Sequence, residues 1–529
     1  MPTTSDERYA GLSPFELKDR LVALATECTR LSARLLLDAG RANPDWLALE
    51  PREAFVELER FALGEARARS LGPGLGGHPQ APGIAGRLLA ATAARLPGAA
   101  LLREAVAFAH EQLAIDADLL VHEMALGVLG VNYPSPARML AGVERVMQAY
   151  LERELCRGAA PAGSLQLFAT EGATAGICYV FQSLLANRLL ERGERIAIGV
   201  PAFTPYLEIP RLDAYRFDEL RIAADEDADW QYPDAEIAKL ADPEVRALFL
   251  VNPGNPTAVA IGARSLERIA ALVRDSRPDL IVISDDVYAA YAEGYRSLAA
   301  VVPRNTITVY SLSKYFGCTG WRLGLIGIRE DNILDARLAR LAPVERDAIA
   351  ARYASVCVDP ARLRFVDRMV ADSRAVALNH TAGLSTPQQV QMALFALHAL
   401  LERGAGYRAL ARSVVHARLT ALCEALGMPA PGGALHTDYY ATIDLLRLAR
   451  SMHGEGYAAW LARSRQPLDL VFDLAREYAT VVLPGAGFEA PDWSVRISLA
   501  NLPVAAYREI GASLRALLEH YRTLPGAAA

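Results

Sequence analysis

Between residues 195 and 328 the chain alternates short apolar runs with helical stretches, and that rhythm restricts the folds open to it. The runs cover 195–200, 247–251, 280–284, 306–311 and 323–328. Several have apolar residues at consecutive positions, the pattern of strands covered on both faces. Helical patterns such as 174–190 and 265–275 lie between most of them. The alternation predicts an α/β fold with a largely parallel central sheet flanked by helices. Open sheets of this kind bind ligands beyond the carboxyl ends of their strands. The residues that follow each run are therefore the ones to read for chemistry.

Around this block, 529 residues leave room for two or three domains. Residues 14–70 read as helix, loop and helix, a Gly/Pro-rich break covers 72–86, and helical patterns continue to about 130. Residues 330–385 are mostly helical and charged; helices at 391–403 and 407–426 and strands near 439–445 and 495–499 follow. A net charge of −6 lacks the basic footprint of a nucleic-acid binder. Six cysteines (28, 156, 178, 318, 357 and 423) show no C-x-x-C pair, as expected of reduced thiols in the cytoplasm. Residues 1–7 lack the basic and apolar regions of a signal peptide, and no run of about 18 uncharged apolar residues suggests a membrane span.

Lysine occurs only at 18, 239 and 314, whereas arginine is used freely. A chain that has exchanged lysine for arginine keeps it where arginine cannot serve, and a guanidinium neither loses its proton nor forms a Schiff base. Lys314 follows the 306–311 run in Ser311-Leu312-Ser313-Lys314, with Arg322 eight residues on. An exposed lysine beside a turn is the commoner explanation of such a residue taken alone; its rarity here favours chemistry. Three other strand ends carry polar groups. Asp285-Asp286 follows 280–284, and because successive strand residues face opposite ways, one aspartate toward a pocket is more natural than a metal pair. Asn255, in Asn252-Pro253-Gly254-Asn255-Pro256-Thr257, sits in a Pro/Gly turn and could offer its amide to a ring oxygen. Gly172-Ala173-Thr174 opens a helix whose backbone N–H groups suit a phosphate, although a close-packed helix start explains it equally. An amine, a carboxylate, an amide and an anion site together imply pyridoxal phosphate: covalently held by the amine, its ring nitrogen protonated, its phosphate bound by helix, Ser and Arg.

The order and spacing of Tyr133, Gly172–Thr174, Phe203/Tyr206, Asn255-Pro256-Thr257, Asp285/Tyr288, Ser311-x-x-Lys314, Arg322 and Arg496 resemble the aspartate aminotransferase fold family over roughly residues 130–510. The resemblance implies that Lys314 is the Schiff-base lysine, Asp285 the partner of the ring nitrogen, and Phe203 the ring's stacking partner. Asn255 and Tyr288 contact the ring oxygen. Gly172, Ala173, Thr174, Ser311 and Arg322 would hold the phosphate, with Tyr133 arriving from a neighbouring subunit, and Ser313 would also bind the cofactor. Arg496 grips the substrate α-carboxylate. Ala258 departs from the glycine common after Asn-Pro-Thr, which is expected to alter the turn. The extra length, with the text of residues 12–19 and 40–46, resembles the aspartate 4-decarboxylases across nearly the whole chain. This implies a division into residues 1–130 (extension and helical insertion, part of the small domain), 131–385 (large cofactor-binding domain) and 386–529 (C-terminal small domain). It also implies L-aspartate as substrate, alanine and CO2 as products, side transamination, and a homo-oligomer built from dimers, a dodecamer at the upper end.

In that reading Lys314, freed by the substrate, moves the Cα proton, and Arg41 in the N-terminal loop binds a carboxylate or controls protonation. Lys18 reads as a surface helix lysine. The nearest rival is an aspartate or broad-specificity aminotransferase that grips the β-carboxylate and retains it. A regulator carrying an aminotransferase-like domain is remote, because residues 1–130 contain acidic helices and no helix-turn-helix pattern.

Overall fold

The computed structural model describes residues 12–32, 34–92, 98–374, 383–402 and 406–526. The reading of residues 1–7 lies outside these, as do residues 375–382 of the charged helical stretch and residue 403 of the helix expected at 391–403.

The first described helix, Pro14–Leu31, starts with a capping box. The Glu16 N–H donates to Ser13 Oγ at 3.3 Å, and the Ser13 N–H donates to the Glu16 carboxylate at 2.9 Å. Strand β1 (Leu37–Asp38) follows and pairs in parallel with Thr480–Val481, so an N-terminal and a C-terminal segment meet. Helices Glu50–Ala68, Ile84–Ala91, Ala99–Leu113 and Ala117–Val128 then pack, through Leu58, Leu102 and Met124, into one core with helices Ala141–Cys156 and Thr386–Leu401.

Seven strands form the central sheet: β2 (Leu165–Thr170), β3 (Arg195–Val200), β4 (Asp218–Ala223), β5 (Val245–Val251), β6 (Ile281–Asp285), β7 (Thr306–Ser311) and β8 (Gly324–Arg329). Their order is β2-β8-β7-β6-β5-β3-β4. Strands β7, β6, β5, β3 and β4 run parallel, as the β-α rhythm predicts, whereas β8 is antiparallel to both of its neighbours. Residues 312–323 hold only a 3-10 turn and no crossover helix, so the chain leaving β7 must return in the opposite sense. Every residue of β6, β7 and β8 is buried. Alternate side chains enter two cores: Phe249, Ile281 and Ile283 join Ile177 and Phe181 on one face, and Leu248, Leu250 and Val282 join Ile269 and Val273 on the other. Two of these strands carried no apolar run in the text. β4 is an edge strand with Asp218 exposed and Glu219 and Arg221 half-buried, and β2 is interrupted by Gln166.

The C-terminal part adds β9 (Tyr440–Asp444), β10 (Thr480–Val481), β11 (Leu483–Pro484) and β12 (Ser494–Ser498), of which β11, β12 and β9 form an antiparallel sheet. Helices Gly406–Leu426 and Val504–Arg522 pack beside it. Leu21, Ala25, Leu37 and Ala39 belong to this same core, with Leu422, Ile443 and Val495. Each fully buried leucine contributes about 1.5–3 kcal/mol relative to exposure, which fastens the N-terminal segment to the C-terminal sheet. All six cysteines carry free thiols, and no described helix is long and apolar enough to cross a membrane.

Candidate active site

The carboxyl ends of β5, β6 and β7 and the start of helix Ala173–Ala186 open onto one cavity of about 560 Å³. Lys314 reaches it from the turn after β7, where its amine donates to the Ala42 carbonyl at 2.9 Å. Burial, and then the Arg496 and Arg322 guanidinium groups, push the amine down to about 8, against the opposing pull of Asp285. An amine near neutrality can serve as nucleophile and as proton carrier, which an ordinary surface lysine cannot.

Asp285 ends β6 and is 3% exposed. Its carboxylate accepts the Tyr206 hydroxyl at 2.7 Å and the Val287 N–H at 3.1 Å. Burial nevertheless raises it to about 6, so a cationic partner in the cavity is what would return it to the charged form. Asp286 points the other way, as strand alternation requires, and accepts Tyr295, Ser284 and Ser297 hydroxyls at 2.5, 2.8 and 3.0 Å. One member of the pair faces the cavity and the other is tied into the fold.

One end of the cavity suits an anion. Gly172, with φ 96°, sits just before the helix, and Ala173 and Thr174 supply its first turn on the cavity wall. The N–H groups of that turn have no partner within the helix. A Cβ on Gly172 would stand 2.1 Å from Arg322 Nη2, and one on Gly324 would stand 2.5 Å from the Gly172 carbonyl carbon. Only glycines allow β2, β8 and the arginine to meet here. Arg322 is held by the carbonyls of Glu171 and Thr319 at 3.1 and 3.2 Å. The Ser311 hydroxyl lies 2.8 Å from Ser313 Oγ and 3.1 Å from the Leu323 carbonyl, and both serines line the cavity.

The opposite end carries cations. Arg496, in the middle of β12 and 3% exposed, donates through Nη2 to the Gly40 carbonyl at 2.7 Å. Its guanidinium lies over the rings of Tyr440 and Phe488 at 4.8 and 5.0 Å. Its Nε is buried and has no partner among the described residues. Arg41 is on the wall too, largely exposed and paired with Asp38 at 3.0 Å. Lys18 corrects the sequence reading: it is no plain surface lysine but lines this cavity. Burial holds its amine below the usual lysine range; Arg41 and Arg496 add to this, and Asp38 opposes it.

Between the two ends, the Asn255 side chain lines the wall with its Oδ1 buried and without a partner among the described residues. The Tyr288 hydroxyl lies 2.6 Å from that of Tyr440, and Phe203 meets the Tyr206 ring edge-on at 5.4 Å. Ala258 keeps the turn in spite of its side chain by taking φ 60°, with its N–H on the Gly254 carbonyl at 3.0 Å. Two expected site residues are not on the wall: Gly172, which adjoins it through Ala173, and Tyr133, which is 66% exposed. Sequence reasoning missed Tyr440, Phe488 and the Ala42 carbonyl, and assigned Tyr206 no partner. The Tyr439-Tyr440 pair at the start of β9 was a usable signal; a backbone carbonyl offers none.

An orphaned amide oxygen, a free guanidinium nitrogen, a softened amine, a buried carboxylate and an anion-binding helix start surround one space. That set fits pyridoxal 5′-phosphate, the cofactor of class I and II aminotransferases. The family model for aminotransferase class I and II matches residues 166–514. A Pseudomonas sp. bifunctional aspartate aminotransferase and L-aspartate beta-decarboxylase is 44% identical over 523 residues, covering 97% of this chain and 98% of its own. An aspartate aminotransferase of Pyrococcus abyssi is 32% identical over 26% of this chain and 36% of its own. Among solved structures, a Thermus thermophilus aspartate aminotransferase variant matches with TM-score 0.59 at 17% identity, over 98% of this chain and 100% of its own. A Pyrococcus horikoshii aromatic aminotransferase gives 0.58 at 18%, over 94% and 100%. The fold, the residues around the cavity and the matched span agree: this chain belongs to the class I and II aminotransferase family.

Proposed function

We propose that the protein removes the β-carboxyl group of L-aspartate, giving L-alanine and CO2, with transamination of aspartate as a side activity. The carrying observation is that the N-terminal segment supplies Lys18, Arg41 and the Ala42 carbonyl to the cavity. The bifunctional Pseudomonas relative matches over 97% of the chain and so reaches that segment, whereas the Pyrococcus abyssi aminotransferase matches over 26%.

Bound pyridoxal 5′-phosphate supplies a protonated ring that takes up the electron pair released at Cα. Lys314 would anchor the cofactor and, with its amine free, would carry the Cα proton. Asp285 keeps the ring nitrogen protonated, and Tyr206 and the Val287 N–H hold that carboxylate in place. Phe203 would pack on the ring, and Asn255 and Tyr288 would bind its oxygen. Ala173, Thr174, Ser311, Ser313 and Arg322 hold the phosphate, with Gly172 leaving room for the arginine. Arg496 pairs with the α-carboxylate through the edge that carries its unpartnered Nε. Arg41 stands beside the second carboxylate with Lys18. Departure of CO2 leaves an electron pair on Cβ that takes one proton, so each turnover consumes a proton.

Tyr133 serves the site of a neighbouring copy in a homo-oligomer built from dimers, with a dodecamer as the upper expectation, and the protein works in the cytoplasm. The domain division at 130 and 385 accompanies this reading; the core that Leu21 and Leu37 share with the C-terminal sheet favours it for residues 14–39, whereas Leu58, Leu102 and Met124 pack with helices Ala141–Cys156 and Thr386–Leu401 across both boundaries. Product analysis with aspartate as sole substrate tests the function. Sustained formation of equal alanine and CO2 is expected; a single half-turnover that stops at oxaloacetate would leave an aminotransferase.

A further inference from the structure

Tyr440 is the first residue of β9 and pairs in register with Ser498 of β12, while Arg496 pairs with Thr442. Residues two apart on a strand share a face, so the Tyr440 and Arg496 side chains are diagonal neighbours. The guanidinium lies 4.8 Å over the Tyr440 ring, and the Tyr440 hydroxyl is 2.6 Å from that of Tyr288. One side chain thus touches the arginine at the substrate end and the tyrosine at the cofactor end. Tyr440 is also 3% exposed.

A phenol has one proton to donate. If Tyr288 gives its proton to the cofactor ring oxygen, its own oxygen must accept, and the donor within reach is Tyr440. The charged groups facing the pair are Asp285 at the end of β6 and Arg496 on β12, with the Tyr439 ring behind Tyr288 at 5.0 Å. Burial raises both phenols above the ordinary tyrosine value, so each keeps its proton under working conditions.

Resting on the cofactor reading above, we propose that Tyr440 is a positioning residue with two faces. Its hydroxyl donates to Tyr288 and aims the Tyr288 proton at the cofactor ring oxygen, while its ring carries the Arg496 guanidinium. Hydrogen bonds in such a chain strengthen one another, so losing the Tyr440 hydroxyl weakens Tyr288 as a donor. The ring oxygen then becomes more basic and holds the proton it shares with the lysine nitrogen to higher pH.

The test titrates the visible absorption of the lysine-bound cofactor against pH in the wild type, Tyr440→Phe, Tyr288→Phe and the double variant. Tyr440→Phe should bind the cofactor and move the midpoint upward by about half a pH unit. Tyr288→Phe should move it further, and the double variant no further than Tyr288→Phe alone, because Tyr440 acts through Tyr288. An unmoved midpoint in Tyr440→Phe, or a double-variant shift equal to the sum of the two, overturns the relay. For the ring, Tyr440→Phe should keep the KM for aspartate within about 2-fold, and Tyr440→Leu should raise it about 10-fold. Equal KM increases in both overturn that half. A wild type without lysine-bound absorption, or Lys314→Ala with it, would instead overturn the cofactor reading itself.

Discussion

The two ends of the cavity are built in different ways. The phosphate end is made by consecutive strand ends of one sheet: Gly172 to Thr174 after β2, Ser311 to Lys314 after β7, and Arg322 just before β8. The carboxylate end is assembled from opposite ends of the chain. Gly40 accepts from Arg496, Ala42 from Lys314 and Tyr439, and the Asp38 carbonyl from Asn501 at 2.8 Å. Asp45 receives a two-pronged contact from Arg418 at 2.7 and 2.8 Å. The first end rests on neighbouring strands of one sheet, which residues 42–52 bond only at the turn after β7, whereas the second is made by residues 37–45 lying against β12. In the proposed reading, the half that would hold the cofactor is carried mainly by one sheet, and the half that would bind substrate carboxylates joins segments far apart in the chain.

Substitutions at each end should separate these roles. Asp285→Asn, at the cofactor half, should lower activity by about 10³-fold by removing a preorganised charge. The same change should stabilise the cofactor-free protein. The folded carboxyl, raised to about 6, binds its proton more tightly than the unfolded one, so stability falls as pH rises through about 4 to 6 and the penalty is complete above it. Thermal unfolding of the cofactor-free variant at pH 8 should show a gain of about 3 kcal/mol that closes as pH falls toward 4. No gain at pH 8 would mean that the carboxylate is already well compensated.

Arg496→Lys, at the other half, should cut kcat/KM for aspartate about 10²-fold through KM, because an ammonium cannot replace two parallel N–H donors. Cofactor affinity should stay at the wild-type level; a parallel loss would show that the two halves are not separable. Gly172→Ala should do the reverse. Its Cβ would meet Arg322 and its φ of 96° is strained for alanine, so cofactor affinity should drop about 10-fold while KM at saturating cofactor holds. Smallest is Ala258→Gly, in the turn that carries Asn255. It should relieve a left-handed alanine and raise stability by up to about 1 kcal/mol with activity unchanged. Denaturant unfolding measures it, and a loss of stability would mean that the Ala258 methyl, 3% exposed, contributes more by packing than its backbone costs.

The legibility of the two halves differs in the same way. Strands β3, β5, β6 and β7 could be read from apolar and β-branched residues, consecutive in most of them because both faces are buried, and the residues after them then point to the proposed cofactor half. Strand β4 escaped because an edge strand keeps charged residues, and the reversed sense of β8 escaped because local text does not record direction. Lys18 was misread for a related reason. Its helix looks like any solvated helix until Leu21 and Ala25 are seen packed on the C-terminal core, which turns the lysine toward the cavity. Tyr440 stands in an ordinary-looking strand, and its role depends on the diagonal register with Arg496 and on the approach of Tyr288.

By itself the sequence determined the α/β layering, the strand ends that bear Asp285, Asn255 and Lys314, and the glycine before the helix at 173. These follow from periodicity and from the steric needs of single residues, which act over a few positions. Only the tertiary structure decided that residues 37–42 would lie against β12, that an arginine on the last strand would face a lysine on the first described helix, and that two tyrosines 152 residues apart would share a hydrogen bond. Those contacts are set by how separate elements pack, and packing between distant segments leaves no local mark in the chain.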